Sequence, residues 1–185
     1  MRASAGPSVK SMACPPADLA AHKLDMVLAD SPLGATASVR AFNHLLGECG
    51  VTFFAARKLA PSYRRRFPKS LDGAPLLLPA TNTAVRGALM QWFDQQAIQP
   101  RVAGEFDDSA LIKAFGQAGV GIFIAPRVIE REVTRQYDVQ AIGRSDEVRE
   151  RFYAISAERK LRHPAVVAVN DAARLELFSV RRRKH

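Results

Sequence analysis

The sequence has few cysteines and no long apolar run. Its 185 residues include only two cysteines, Cys14 and Cys49, which are too few for a disulfide framework and lack the C-x-x-C spacing of a zinc site. We expect both to be reduced thiols. No apolar stretch approaches the roughly 20 residues that a membrane-spanning helix requires. The first residues also lack the apolar segment of a secretory signal, so the sequence favours a soluble, cytoplasmic protein that does not contact a membrane.

Motifs of common catalytic sites are also missing. There is no G-x-S-x-G nucleophile elbow and no glycine-rich phosphate loop, so we predict no catalytic residue and no enzyme activity. His44, Glu48 and Cys49 would share a face only in a helix. Their segment is typical of strand and turn, so we predict no metal site there. The acidic run at 105–108 either offers oxygen ligands to a hard cation or forms a helix cap and a solvated surface.

Apolar content and positive charge are what the sequence does have. Hydrophobic residues make up 48% of the chain, which excludes a disordered protein. The net charge is +9, with basic clusters at 57–69 and in a tail at 181–185. These clusters either neutralise phosphates or form solvated surface, and the second interpretation is favoured because no aromatic residues interleave the tail. Residues 1–17, rich in Gly, Pro and Ser, are predicted to be a disordered lead.

From about residue 24 the pattern predicts an α/β fold, because strands alternate with helices. Strands are predicted at 24–29, 39–46, 50–56, 75–79, 101–106, 120–125, 139–143 and 148–157. Helices are predicted from Thr83 to Ile98, from Ser109 to a left-handed cap at Gly119, from Pro126 to Tyr137 and from Pro164 to Leu177. Short links favour a mostly parallel sheet, and the strands at 39–56 form either a hairpin or a long bent ribbon. One α/β patch comes from both chain ends and one from the middle.

Two predicted helix starts, at 81–83 and 107–109, carry the polar side chains of an anion site. Free N–H groups at a helix start, with nearby hydroxyls, can hold an anion. The alternative is simple capping by Thr, Asn, Asp or Ser. In open α/β sheets ligands bind at the carboxyl ends of the strands, and both helix starts follow predicted strands.

Several strings resemble a known family of gene regulators. The string DMVLAD at 25–30 and the string FGQAGVGIFIAP at 115–126 resemble the effector-binding half of LysR-type transcriptional regulators. Three more, SLDGAPLLLP at 70–79, GEFDDSAL at 104–111 and ERFYAIS at 150–156, are similar to a subgroup whose members activate sodium/proton antiporter genes. The resemblance covers about residues 18–178.

This resemblance implies two Rossmann-like lobes of periplasmic-binding-protein type, with a small effector between them. Lobe I would comprise 18–56 and 145–180, and lobe II 57–144. For the subgroup, sodium or lithium is the expected signal, with the run at 105–108 as the place to sense it. The effector contacts implied by position are Asp30, Ser31, Pro32, Thr81, Asn82, Thr83, Phe106, Asp107, Ser109, Phe123 and Pro126.

The resemblance also implies an incomplete first lobe. Family members begin with a winged helix-turn-helix, a linker helix and a first strand, and the irregular residues 1–17 fit none of these. We therefore expect either a truncated regulator or a reading frame whose start is assigned too far downstream. In either case we expect specific DNA binding only through a helix-turn-helix absent from this chain, and association with full-length protomers in a homo-oligomer. Alternatives are a solute-binding protein or an enzyme of similar fold. The missing signal peptide and the missing catalytic set speak against them.

Overall fold

The structure, a computed structural model, describes residues 9–11, 24–33, 41–81, 83–157, 164–173 and 178. Its strands are β1 (Val9–Ser11), β2 (Met26–Ala29), β3 (Phe42–Ala56), β4 (Pro75–Pro79), β5 (Arg101–Phe106), β6 (Phe123–Pro126) and β7 (Val139–Ser156). Its α-helices are α1 (Ala60–Arg64), α2 (Ala84–Gln95), α3 (Ser109–Gln117), α4 (Glu130–Gln136) and α5 (Pro164–Ala172). Short 3-10 turns occupy Lys69–Leu71 and Arg127–Ile129.

The strands form two sheets. The larger has the order β1-β2-β7-β3-β6 and the smaller consists of β4 and β5. β1 pairs parallel with β2, and β4 with β5, whereas β2–β7 and β3–β6 are antiparallel. The prediction of a mostly parallel sheet is therefore wrong for the larger sheet. A strand–helix–strand unit makes two successive strands parallel, and this applies to β4 and β5. β2 and β6 instead pair with strands that are distant in sequence, so the alternation does not predict their relative direction.

Contacts divide the chain into two compact units. Unit 1 comprises residues 1–48 and 151–185, and unit 2 comprises residues 49–150. In unit 2, Phe53 and Phe54 of β3 point to opposite sides because side chains alternate along a strand. Phe53 packs under α2 with Leu89 and Phe93, and Phe54 belongs to a second cluster on the other side. From Cys49 to Ala56 both faces of this strand are buried, and its residues there are apolar apart from Gly50 and Thr52.

The core of unit 1 is smaller within the described residues. Met26 of β2, Leu46 of β3 and Ala154 of β7 form one buried group, and Leu24 packs with Ile155 in another. Strand β1 was not expected, because residues 9–11 belong to the predicted disordered lead. Val9 pairs with Met26 of β2, and the next two residues continue in the same register. The predicted disorder is therefore wrong for residues 9–11. The rest of the lead and the tail at 181–185 lie outside the described residues.

The two longest strands are continuous where the sequence indicates breaks. The glycines of 47–50 suggested a turn, yet β3 runs through them. A Cβ on Gly50 would lie 2.4 Å from the Ser145 carbonyl oxygen, and one on Gly47 would lie 2.2 Å from the Phe178 ring. These glycines therefore permit close approach and do not make a turn. β7 likewise spans both strands predicted at 139–157.

The third predicted helix begins later than expected. Pro126 ends β6, a 3-10 turn follows, and the α-helix begins at Glu130. The left-handed cap predicted at Gly119 is confirmed, since its φ is 81°. In the described part of the chain, none of the helices combines the length and apolarity that a bilayer crossing requires.

Candidate functional site

The carboxyl edge of the β4–β5 sheet brings two helix starts together. Pro79, the last residue of β4, lies opposite Phe106, the last residue of β5, in parallel register. The Ala80 N–H donates to the Phe106 carbonyl oxygen at 2.9 Å, which extends the pairing beyond the strands. Thr81 and Thr83 follow the end of β4 and precede α2, and residues 107–109 follow the end of β5 and lead into α3. The edge therefore concentrates polar side chains and helix N–H groups.

At the start of α2 no described side chain accepts a hydrogen bond from the first backbone N–H groups. Thr83 occupies the N-cap position, but its hydroxyl donates to the Ala80 carbonyl oxygen at 2.8 Å. Thr81 is exposed, and Asn82 lies outside the described residues. Because these N–H groups carry the positive end of the helix dipole, this start suits a negatively charged or hydroxyl-bearing ligand.

The start of α3 is capped. Asp108 occupies the N-cap position, and its Oδ1 accepts the Ala110 N–H at 2.6 Å. Asp107 and Ser109 on either side are exposed, and the Lys113 ammonium lies 3.5 Å from the Ser109 hydroxyl. Partial burial lowers the pKa of Lys113. The capping interpretation thus applies to α3, whereas Thr83 does not cap α2 and the anion interpretation there stays a prediction.

We expect the Asp108 cap to contribute about 1 kcal/mol to the free energy of unfolding, as side-chain caps typically do. The Asp108→Ala variant loses the acceptor for the Ala110 N–H, so urea denaturation should give a free energy of unfolding that is lower by that amount. The matched control is Asp107→Ala, which removes a neighbouring exposed carboxylate that is not the cap. Equal destabilisation by the two variants would contradict the assignment.

The acidic run at 105–108 is partly neutralised by the protein itself. Glu105 forms an ion pair with Arg86 at 2.8 Å, and a second Arg86 nitrogen donates to the Pro79 carbonyl oxygen at 2.9 Å. Arg86 is only 12% exposed, so it ties α2 firmly to the ends of β4 and β5. Among the described residues there is no group of three or more His, Cys, Asp or Glu side chains arranged to hold a metal ion.

The predicted aromatic and proline contacts have different environments. Phe106 is half-buried, with its ring 5.1 Å from that of Phe115 on α3. Phe123 is fully buried and stacks on Phe54 at 5.3 Å, so its side chain belongs to the core of unit 2. Pro126 is half-buried at the end of β6.

The predicted contacts Asp30, Ser31 and Pro32 follow β2 in unit 1. The Ser31 hydroxyl donates to the Asp30 carboxylate at 3.3 Å, and both Ser31 and Pro32 are exposed. Asn43 of β3 anchors this segment, because its side chain accepts the Leu33 N–H at 2.9 Å and donates to the Leu33 carbonyl oxygen at 3.1 Å. Sequence reasoning missed Asn43, although an amide within a strand pattern was a signal that could have indicated it.

Of the three side chains considered as metal ligands, two have other side-chain partners and the third is buried. His44 Nε2 lies 3.0 Å from the Ser156 hydroxyl, and Glu48 accepts a hydrogen bond from Arg151 at 3.2 Å. Cys49 is buried on the opposite side of β3, and this burial raises the pKa of its thiol.

Comparisons with known proteins agree with this architecture. The chain is 37% identical over 161 residues to the transcriptional activator protein NhaR of Escherichia coli, and equally to that of Shigella flexneri. The match covers 87% of this chain and 52% of NhaR, so the chain spans about half the length of the curated relatives it matches. The family model of the LysR substrate binding domain matches residues 11–177.

Solved structures of regulator effector domains share the fold. The effector domain of AmpR from Pseudomonas aeruginosa superposes with a TM-score of 0.62 at 19% identity, over 86% of this chain and 75% of that one. The effector binding domain of QuiR, solved with shikimate, gives a TM-score of 0.62 at 16% identity, over 87% of this chain and 75% of that one. The predicted α/β fold of periplasmic-binding-protein type is thereby confirmed, and the chain belongs to the family of LysR substrate-binding domains.

Proposed function

We propose that this chain is the effector-sensing domain of an NhaR-like regulator of sodium/proton antiporter genes, acting in the cytoplasm. It binds a small effector and performs no chemistry on it. The observation that carries the proposal is the uncapped start of α2 beside the capped start of α3 at one sheet edge, in a chain of the LysR family. The 37% identity to NhaR supports the subgroup.

The effector contacts in this proposal are the residues that the family resemblance implies. Those at the β4–β5 edge have the strongest physical support, because backbone N–H groups, hydroxyls and a carboxylate meet there. They are Thr81, Thr83, Phe106, Asp107 and Ser109. Asn82, a further proposed contact, lies outside the described residues and rests on the family resemblance alone. The other proposed contacts are Asp30, Ser31, Pro32 and Pro126. The side chain of Phe123, also implied by the resemblance, is fully buried in the core of unit 2, so this position offers an effector only its backbone.

We propose sodium or lithium as the signal, sensed beside the exposed Asp107. Binding of either ion at about ten times its dissociation constant should raise the melting temperature by about 3–5 °C relative to potassium at the same ionic strength. A thermal-shift titration of the chain measures this. The Asp107→Asn variant should lose the increase. The control variant Asp94→Asn, which neutralises an exposed carboxylate within α2, should keep it.

Equal melting temperatures in sodium, lithium and potassium would refute the ion as signal. The same titration with small carboxylates then tests the alternative that the uncapped start of α2 indicates, an anionic effector.

The proposal includes association with further protomers of the regulator. Exposed apolar side chains support it, since Leu111 is 51% exposed, Phe115 44% and Val102 47%. We assign operator recognition to the helix-turn-helix of the family and not to any of the described helices.

A further inference from the structure

A pocket of about 600 Å³ lies in unit 2, among the end of α1, the start of α4 and the first half of β7. Its volume falls within the ~300–1,000 Å³ typical of small-molecule sites. None of its lining residues belongs to the proposed effector contacts. They are Arg64, Glu130, Thr134, Gln140, Ala141, Ile142, Gly143 and Arg144.

Arg64 supplies a fixed positive charge to this pocket. Its Nε and Nη2 donate to the Ala141 carbonyl oxygen at 3.2 and 2.9 Å, and Nη2 also donates to the Gln140 side-chain oxygen at 3.0 Å. These acceptors are neutral, and no carboxylate of the described chain forms an ion pair with Arg64. The guanidinium is therefore held in one orientation, and within the described residues no carboxylate compensates its charge. Arg65 and Arg66, both exposed, add positive potential nearby.

The one carboxylate in the pocket wall is already neutralised. Glu130 accepts hydrogen bonds from Arg144 through two nitrogens, one of them at 2.8 Å, and from the Thr52 hydroxyl at 2.8 Å. Its repulsion of an incoming anion is weak for that reason. Two guanidinium groups against one carboxylate leave the pocket wall with one net positive charge.

We propose that this pocket is a second ligand site, which binds a small oxyanion through the guanidinium of Arg64. Nη1 of Arg64 has no acceptor in the described part of the chain, so its N–H groups can donate to an oxygen of a carboxylate or a phosphate, and a preorganised guanidinium loses little entropy on binding. Gln140, whose oxygen is taken by Arg64, keeps its amide NH₂ as a further donor. The buried Ile142 provides apolar surface beside these polar groups. The ligand class is thus a small organic or inorganic anion that carries a carboxylate or phosphate.

NMR titration of the ¹⁵N-labelled chain tests this site. Inorganic phosphate and citrate are the two probes, with sodium chloride at matched ionic strength as the reference. We expect saturable shifts of the backbone amides from Gln140 to Arg144 with at least one probe, and the probe that binds identifies the anion class. Arg64→Gln should weaken its affinity about tenfold, the loss expected for a charge-assisted hydrogen-bonded contact.

The matched control is Arg65→Gln, which removes the same charge from the adjacent residue, outside the pocket wall. It should change the affinity by less than about twofold, because exposed charges are screened. Equal weakening by the two variants would mean general surface charge and would overturn the proposal. So would the absence of shifts in 140–144 with either probe.

A second variant guards against misfolding of Arg64→Gln. Thr134→Trp fills the pocket from α4 without changing any charge, and a helix accommodates the larger side chain. We expect it to weaken probe binding about tenfold as well, which corresponds to about 1.4 kcal/mol. Unchanged binding in this variant would overturn the proposal. Both readouts are independent of the sodium and lithium response, so each proposal can fail alone.

Discussion

Replacing Phe53 by alanine is expected to lower the free energy of unfolding by about 3–5 kcal/mol, the usual cost of deleting a buried aromatic ring. Phe53 is fully buried in β3 and lies at the centre of an aromatic group. Its ring is 5.2 Å from Phe67, 5.3 Å from Trp92 and 6.3 Å from Phe93. The substitution leaves a cavity on the face of the sheet that α2 covers, and it removes three ring contacts at once.

Urea denaturation followed by circular dichroism measures this loss. Because domains are stable by only about 5–15 kcal/mol, the variant should unfold at a much lower urea concentration. Phe115→Ala is the matched control, since it removes the same side chain from a position that is 44% exposed and has one ring contact. That variant should lose less than about 1.5 kcal/mol. Similar losses in the two variants would show that the core is not centred on Phe53.

Glu130→Gln is expected to lower the free energy of unfolding at neutral pH by about 1.5–3 kcal/mol, as for hydrogen bonds to charged groups. Glu130 begins α4 and receives hydrogen bonds from Arg144 of β7 and from the buried Thr52 of β3. The glutamine amide can still form a hydrogen bond with Thr52. It has no negative charge and only one acceptor oxygen for the two Arg144 nitrogens that Glu130 binds. The loss should lie near the lower end, because Arg144 is half-exposed and can turn to water.

The pH dependence of this variant carries a sign that can be checked. The hydrogen bonds from Arg144, and then that from Thr52, lower the pKa of Glu130 from its ordinary value of 4.5, and nearby Arg127 adds to the effect. The folded state therefore binds this proton more weakly than the unfolded state does. The resulting stabilisation is complete above about pH 4.5 and is lost as the pH falls through the lowered pKa. Below that range the wild type and the variant should converge in stability.

Asp138→Asn is the control for this charge pair. Asp138 and Arg57 also form an ion pair, at 2.7 Å, but their side chains are 66% and 60% exposed. Exposed pairs contribute roughly 0–1 kcal/mol, so this variant should unfold almost as the wild type does at every pH. An acid sensitivity of Glu130→Gln equal to that of the wild type would contradict the role assigned to Glu130.

The β4–β5 edge was accessible to sequence reasoning because each of its parts has a local signal. The strand at 75–79 is a short apolar run, the strand at 101–106 lies between two segments of helical periodicity, and both occur with the predicted bounds. Asp108 as an N-cap and Gly119 at a helix end are likewise fixed by residue type within one turn. The adjacency of the two helix starts then follows from parallel pairing.

Features that depend on distant residues were not accessible. Gly50 looks like a turn residue until Ser145 is known to lie against it, and no local pattern links these two positions. The pocket beside Arg64 was missed for the same reason, since Gln140 and Ala141, which orient the guanidinium, are remote in sequence. From sequence alone Arg64 was only one member of a basic cluster.

The way β3 and β7 cross the boundary of the two units bears on how the chain folds. Unit 1 takes its residues from both ends of the chain, and all of residues 49–150 separate its two segments. Joining them through an unfolded connection carries a loop-closure entropy that grows with the length of that connection. Once unit 2 has folded, its two ends emerge from neighbouring strands, β3 and β7, and most of that entropy is already lost. We therefore expect the discontinuous unit to assemble after the continuous one and to depend on it.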